Sequence, residues 1–178
     1  MMTRRLGAAG ATLVLALGLA ACGGDSGGGS GSGGSGDDSS IKIGIKFDQP
    51  GLGLKAGSDY KGLDVDVAKY VAKEMGYEAD KIEFVETPSK QREKMLENGS
   101  VKMIFATYSI TDKRKAQVSF GGPYFVAGQS VLVKSDSDIN SVDALKGKRV
   151  CSVTGSTSVD NLKKKQPALV PQKYDTYS

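Results

Sequence analysis

Residues 82–105 settle the fold class: Ile82-Glu83-Phe84-Val85 is a short apolar-rich run, Lys90 to Glu97 carries a helical pattern closed by Asn98-Gly99, and Val101-Lys102-Met103-Ile104-Phe105 is a second apolar run. Strand, helix and strand in immediate succession are the unit of a parallel sheet with helices on its faces. Upstream, Ile41-Lys42-Ile43-Gly44-Ile45-Lys46-Phe47 places apolar side chains on every second position, which predicts a half-buried strand. Between the two, Asp64 and Asp66 open a segment in which Leu63, Val67, Val71 and Met75 recur every four residues before Gly76. Acidic start, apolar stripe and glycine stop predict a capped amphipathic helix.

Downstream, the pattern predicts a strand over 129–134, a short helix over 141–146, a strand over 149–153 and a helix over 157–165 stopped by Pro167. A further helix is expected to begin at Tyr174-Asp175-Thr176-Tyr177-Ser178. The tract Gly51-Leu52-Gly53-Leu54-Lys55-Ala56-Gly57 follows a strand, but its G-x-G-x-x-x-G spacing does not match a dinucleotide-binding turn. It reads as a mobile loop, with a hairpin turn at 58–61.

The first forty residues are of another kind. Arg4 and Arg5 precede an apolar run from Leu6 to Leu19 that is too short for a durable membrane span and reads as an export signal. The signal ends in Leu19-Ala20-Ala21-Cys22, which resembles the bacterial lipobox and makes Cys22 the expected lipidated N-terminus of the exported chain. Gly23 to Ser40 is almost wholly Gly, Ser and Asp, a flexible tether whose coil dimension would be about 23 Å. The expected organisation is a signal peptide at 1–21, lipidated cysteine and tether at 22–40, a first lobe at 41–129 and the start of a second at 130–178.

Composition excludes several function classes. With no histidine among 178 residues, Ser-His and Cys-His nucleophile pairs and the commonest metal ligand are absent. The 24 Lys and Arg against 20 Asp and Glu are dispersed, which gives no nucleic-acid footprint. Two cysteines, Cys22 and Cys151, form neither a metal-ligand spacing nor a disulfide framework.

Two segments carry a family resemblance. Gly62-Leu63-Asp64-Val65-Asp66-Val67-Ala68-Lys69-Tyr70-Val71-Ala72-Lys73-Glu74-Met75 resembles the signature of the amino-acid-binding family (family 3) of bacterial extracellular solute-binding proteins. Ala106-Thr107-Tyr108-Ser109-Ile110-Thr111-Asp112-Lys113-Arg114 is similar to that family's ligand loop. A free amino acid presents a carboxylate and an ammonium one carbon apart, so its receptor needs a bidentate cation, N–H donors and nearby acceptors. Arg114, in a helix capped by Thr111, suits the α-carboxylate, and the hydroxyl and main chain of Ser109 suit the ammonium side. Thr107, Tyr108 and Ser109 follow a strand's C-terminal end, where open α/β sheets bind ligands. The loop Val153-Thr154-Gly155-Ser156-Thr157-Ser158 joins a strand to a helix, and its N–H groups can hold an anion. In the family this loop belongs to the second lobe, so Ser156 and Thr157 join the candidate set.

Lys46 ends the first strand on its polar face. It is read either as the partner of a ligand's distal carboxylate or as a solvated side chain. Lys46-Phe47-Asp48-Gln49-Pro50-Gly51-Leu52-Gly53 resembles glutamate-binding members of the family. The resemblance implies a periplasmic-binding-protein-like, two-lobed α/β fold, the first lobe nearly complete and the second incomplete. It also implies capture of glutamate or aspartate, with glutamine kept open, by a monomer that serves ABC permease subunits from the outer face of the membrane, without cofactor or metal. Relatives continue beyond the position of Ser178, where a cysteine commonly pairs with Cys151, so a free Cys151 thiol and weak stability and binding are expected of these residues alone. A dehydratase-like enzyme and a receptor's sensing domain are the competing readings. General and twin-arginine export are both open.

Overall fold

The computed structural model describes residues 40–178, so the expected export signal, the expected lipidation at Cys22 and nearly all of the expected tether lie outside the described residues. Strand β1 (Ile41–Ile45) is the centre of a parallel sheet, with β4 (Ile82–Glu86) on one side and β5 (Met103–Ile104) on the other. The register pairs Ile41 with Ile82 and Gly44 with Val85, and on the other edge Ile43 with Met103. Lys102 N–H to Lys42 O and Phe105 N–H to Gly44 O, each 2.9 Å, continue the ladder around the short β5.

The expected half-buried strand is buried on both faces. Ile41, Ile43 and Ile45 are covered, and so are Gly44 and Lys46; only Lys42 is exposed. A central parallel strand has layers on either side, so alternation in its sequence need not mean a wet face. Gly44 is required there, because an added Cβ would collide with Thr87 Cγ2.

Helix α1 (Leu63–Glu74) forms where expected but turns another face inward. The buried positions are Asp64, Val65, Ala68 and Ala72, whereas Met75 is 54% exposed and Leu63, Val67 and Val71 only flank the contact. Alanines let the helix axis approach Ile41 and Ile43, with Tyr77, Ile82, Phe84, Met103 and Phe105 packed around this core. The first turn has no side-chain cap. Gly62 stands at the N-cap with φ 111°, and the carbonyls of Gly51 and Leu52 accept from Leu63 N–H and Asp64 N–H at 3.1 Å each. The glycine-rich tract is therefore the helix's cap, and part of it is regular. β2 (Leu54–Ala56) and β3 (Asp59–Lys61) pair antiparallel across Gly57, so the hairpin expected to turn at 58–61 turns earlier, and residues 59–61 are its second strand.

After β4, one 3₁₀ turn (Ser89–Gln91) leads into helix α2 (Arg92–Glu97), and a single helical turn, α3 (Asp112–Lys115), follows β5. The expected strand over 129–134 is not formed. Among the described residues no strand pairs with it, and Leu132 is 99% exposed. The short helix expected at 141–146 is a 3₁₀ turn, Asp143–Leu145. β6 (Cys151–Val153), helix α4 (Thr157–Lys165) and β7 (Gln172–Tyr174) then make a second parallel β-α-β unit. β7 ends at Tyr174, where a new helix was expected to begin, and residues 175–178 form no helix. Apart from the antiparallel β2–β3 pair, the strands form two parallel sheets, and within each of these the chain leaves every strand at the same end.

Candidate functional site

Those strand ends meet. The segments that follow β1, β4 and β5 carry Lys46 to Gln49, Thr87 to Arg92, and Phe105 to Arg114. Facing them are Gly155 to Thr157 after β6 and Asp175 to Tyr177 after β7. Side chains from all five segments touch.

Arg114, 8% exposed, is held on three sides. Its Nε lies 3.0 Å from Glu93 Oε1, Nη1 donates to Ser109 O at 3.0 Å, and Nη2 donates to Gly155 O at 3.0 Å. Thr111 is the N-cap of α3 and accepts from Arg114 N–H at 3.3 Å, which fixes the backbone from which the guanidinium projects. The guanidinium carbon stands 4.7 Å from the centre of the Tyr108 ring, within range of a cation–π contact. Ser109 Oγ and Thr157 Oγ1 are 2.8 Å apart, and Thr107 Oγ1 donates to Gln49 Oε1 at 3.0 Å. Ser156 is buried, its N–H on Val153 O at 3.1 Å and its Oγ 3.4 Å from Ser152 Oγ. The loop after β6 thus presents a carbonyl to Arg114, where the sequence had suggested N–H groups for an anion.

Lys46 is not solvated: its side chain is 0% exposed. Nζ stands 3.1 Å from Asp48 Oδ1 and 5.4 Å from the centre of the Tyr177 ring. The pair is at ion-pair distance but out of hydrogen-bond alignment, so both atoms keep unfilled bonding capacity. Of the candidates, Arg114, Ser109, Thr157 and Tyr108 are drawn into one network. Lys46 stands with Asp48 and Tyr177 in a neighbouring one.

Sequence reasoning missed Arg92. It is 1% exposed and the one buried residue of α2. Its Nε donates to Thr87 O at 3.3 Å and Nη1 to Thr107 O at 3.0 Å, while the buried Nη2 has no acceptor. Burial lowers its pKa from the ordinary value, and Arg114 adds to that, whereas Tyr177, Tyr108 and Asp64 favour the charged form. Arg92 also approaches the Tyr108 ring, at 5.2 Å, so this ring touches both guanidiniums. The available signal was phase: Arg92, Met95 and Leu96 share one face of a helix, a cation where an apolar residue belongs. Tyr108 carries a buried hydroxyl without a hydrogen-bond partner, its pKa raised by burial and by nearby Glu93.

A third network backs the ligand-loop segment. Tyr124 OH donates to Asp64 Oδ1 at 2.8 Å and reaches Ala106 O at 3.2 Å, tying α1 to the end of β5. Among the described residues no cluster of three or more carboxylates or cysteines is placed to hold a metal ion, and no helix is long and apolar enough to cross a membrane. The arrangement is one of buried cations with partly filled donor sets, which suits binding of a small carboxylate-bearing molecule.

The family model of bacterial extracellular solute-binding proteins, family 3, matches residues 41–175. The chain belongs to this family. It is 45% identical over 185 residues to the glutamate-binding protein GluB of Corynebacterium efficiens, covering 100% of this chain and 63% of that protein. It is 41% identical over 145 residues to the glutamine-binding protein GlnH of an ABC transporter from Bacillus subtilis, covering 80% of this chain and 53% of that one. Among solved structures it resembles an ancestral arginine-binding protein bound to glutamine, with TM-score 0.71 and 34% identity over 78% of this chain and 61% of that chain. The periplasmic-binding-protein-like α/β fold expected from the sequence is thereby established. This chain spans 63% of GluB and 53% of GlnH.

Proposed function

We propose that this family member captures an acidic amino acid, glutamate first, between the ends of its two sheets, and delivers it to an ABC-type permease. In this reading it works outside the cell membrane as a monomer held by a lipid on Cys22. Residues 41–129 and 130–178 belong to opposite lobes.

The observation that carries the ligand reading is the set of three buried cations, Lys46, Arg92 and Arg114, at 0, 1 and 8% exposure. Arg92 Nη2 is buried without a hydrogen-bond acceptor, and Lys46 Nζ has Asp48 Oδ1 beside it at 3.1 Å but out of hydrogen-bond alignment. Buried donors on cations are costly unless an acceptor, best an anionic one, meets them. Two carboxylates would answer more of this demand than one. Glutamate and aspartate offer two, while glutamine and arginine offer one. The hydroxyl oxygens of Ser109 and Thr107 suit the ammonium group.

Calorimetric titration with glutamate, aspartate, glutamine and arginine tests the reading. Glutamate is expected to bind most tightly and to be recovered unchanged, which also separates binding from dehydratase-like turnover. Tighter binding of arginine than of glutamate would overturn it. The anchor is tested separately: Cys22→Ala is expected to move the protein from the membrane fraction to the soluble one, since stable anchoring rests on acyl chains.

A further inference from the structure

We propose that Lys90 is a ligand-independent clasp, the residue on which both loops of the second sheet converge when the two sheets face each other. Lys90 lies in the 3₁₀ turn that follows β4. Its main chain is the seat of Gly155: a Cβ built on Gly155 would lie 2.7 Å from Lys90 Cα and 2.9 Å from Lys90 N. Gly155 has φ +78°, so this position needs glycine for its backbone as well as for the close approach. The Lys90 ammonium donates to Asp175 Oδ1 at 2.8 Å. One residue therefore receives the loop after β6 through its backbone and the segment after β7 through its charge.

The topology explains why both arrive together. β6 and β7 are parallel and pair Val153 with Tyr174, so the two chains emerge side by side, joined by Thr154 N–H to Tyr174 O at 2.8 Å. Tyr177 N–H donates to Asp48 Oδ2 just beyond, which adds a second fastening to the first sheet. The clasp is distinct from the cation cluster, because the ammonium of Lys90 is already engaged by Asp175. It does not rest on the ligand proposed above.

The Lys90 and Asp175 side chains are 39% and 62% exposed. An ion pair this wet is weak and salt-sensitive, and so able to bias the approach of the two sheets while leaving it reversible.

The test needs no ligand. In a Cys22→Ser background, fluorophores on the exposed Cys151 of β6 and on a Tyr70→Cys substitution in α1 report the separation of the two sheets by energy transfer. Lys90→Gln and Asp175→Asn are each expected to lower the ratio of near to far molecules about two- to fivefold, the range of exposed ion pairs. Combining them should add nothing, and the exchange Lys90→Asp with Asp175→Lys should restore the near population. About 0.5 M salt should bring the unsubstituted chain towards the single variants and leave those variants unchanged. Gly155→Ala, which acts on the seat and leaves the charge alone, is expected to enlarge the far population as well. Unchanged distributions in both single variants, or additive effects without rescue by the exchange, would overturn the proposal whether or not glutamate binds.

Discussion

Arg114 Nη2 donates to the Gly155 carbonyl at 3.0 Å, which makes the residue assigned to the ligand's α-carboxylate also one of the side chains that join the two parallel sheets. A main-chain oxygen of the opposing loop thus occupies one tooth of the guanidinium fork. A carboxylate entering there has to replace that oxygen.

Arg114→Ala is therefore expected to cost about 2–5 kcal/mol of glutamate binding, the range for truncating one partner of a buried, hydrogen-bonded charge pair. Arg114→Lys should not restore it, because an ammonium cannot serve Glu93, Ser109 and a carboxylate in one plane. Titration calorimetry measures both, and an affinity for Arg114→Ala within tenfold of the unsubstituted chain would remove Arg114 from the site.

Lys46→Met separates the two carboxylates of glutamate from the single one of glutamine. If Lys46 meets the distal carboxylate, the substitution weakens glutamate more than glutamine, since only glutamate brings a second charge. Removing Lys46 also strands Asp48, which lies 3.1 Å away and is nearly buried, so the protein is expected to lose stability. Lys46→Met with Asp48→Asn removes both charges and should regain much of that stability without regaining glutamate selectivity. Equal loss for the two ligands in both variants would place Lys46 in the architecture alone.

How much of this was legible depended on what each element leans on. Helix α4 was read residue for residue, because its boundaries are local: Ser156 precedes it and Pro167 follows the lysine-rich last turn. The existence of α1 was also local, but its buried face was not. A Leu and Val stripe looks like a core face until a sheet is present for Ala68 and Ala72 to approach. Arg92 escaped notice because its partners are carbonyls of Thr87 and Thr107, and nothing in residues 92–97 names them. β7 escaped for a similar reason: Gln172, Lys173 and Tyr174 are all exposed, and they are a strand only because Cys151 to Val153 run alongside.

Glu93 offers a way to separate position from charge. It stands 3.0 Å from Arg114 Nε, so it steers the guanidinium while cancelling part of its field. Glu93→Gln keeps an oxygen in the same place and removes the charge, and is expected to tighten glutamate binding a few-fold. Glu93→Ala removes both and should weaken binding through a less well-held Arg114. If the two variants moved affinity in the same direction by the same factor, Glu93 would be neither steering nor screening Arg114.

Asp64 gives the pH dependence of stability. The carboxylate is 2% exposed; Oδ1 accepts from Tyr124 OH, and Oδ2 is buried without a partner. Burial raises its pKa from the ordinary 3.8, and the Tyr124 hydrogen bond and the charge of Arg92 offset only part of that. Between 3.8 and the higher folded value the native state binds more protons than the unfolded chain, so the Asp64 contribution to stability falls as pH rises through this window. It is fully present below 3.8 and lost once the folded carboxyl ionises. Asp64→Asn cannot titrate, although its carbonyl can still accept from Tyr124. The unsubstituted chain should therefore gain melting temperature relative to Asp64→Asn as pH is lowered from neutral towards 4, and the difference should level off below that. A difference that stayed flat, or that shrank on acidification, would show that Arg92 and Tyr124 hold the Asp64 charge more firmly than its burial opposes it.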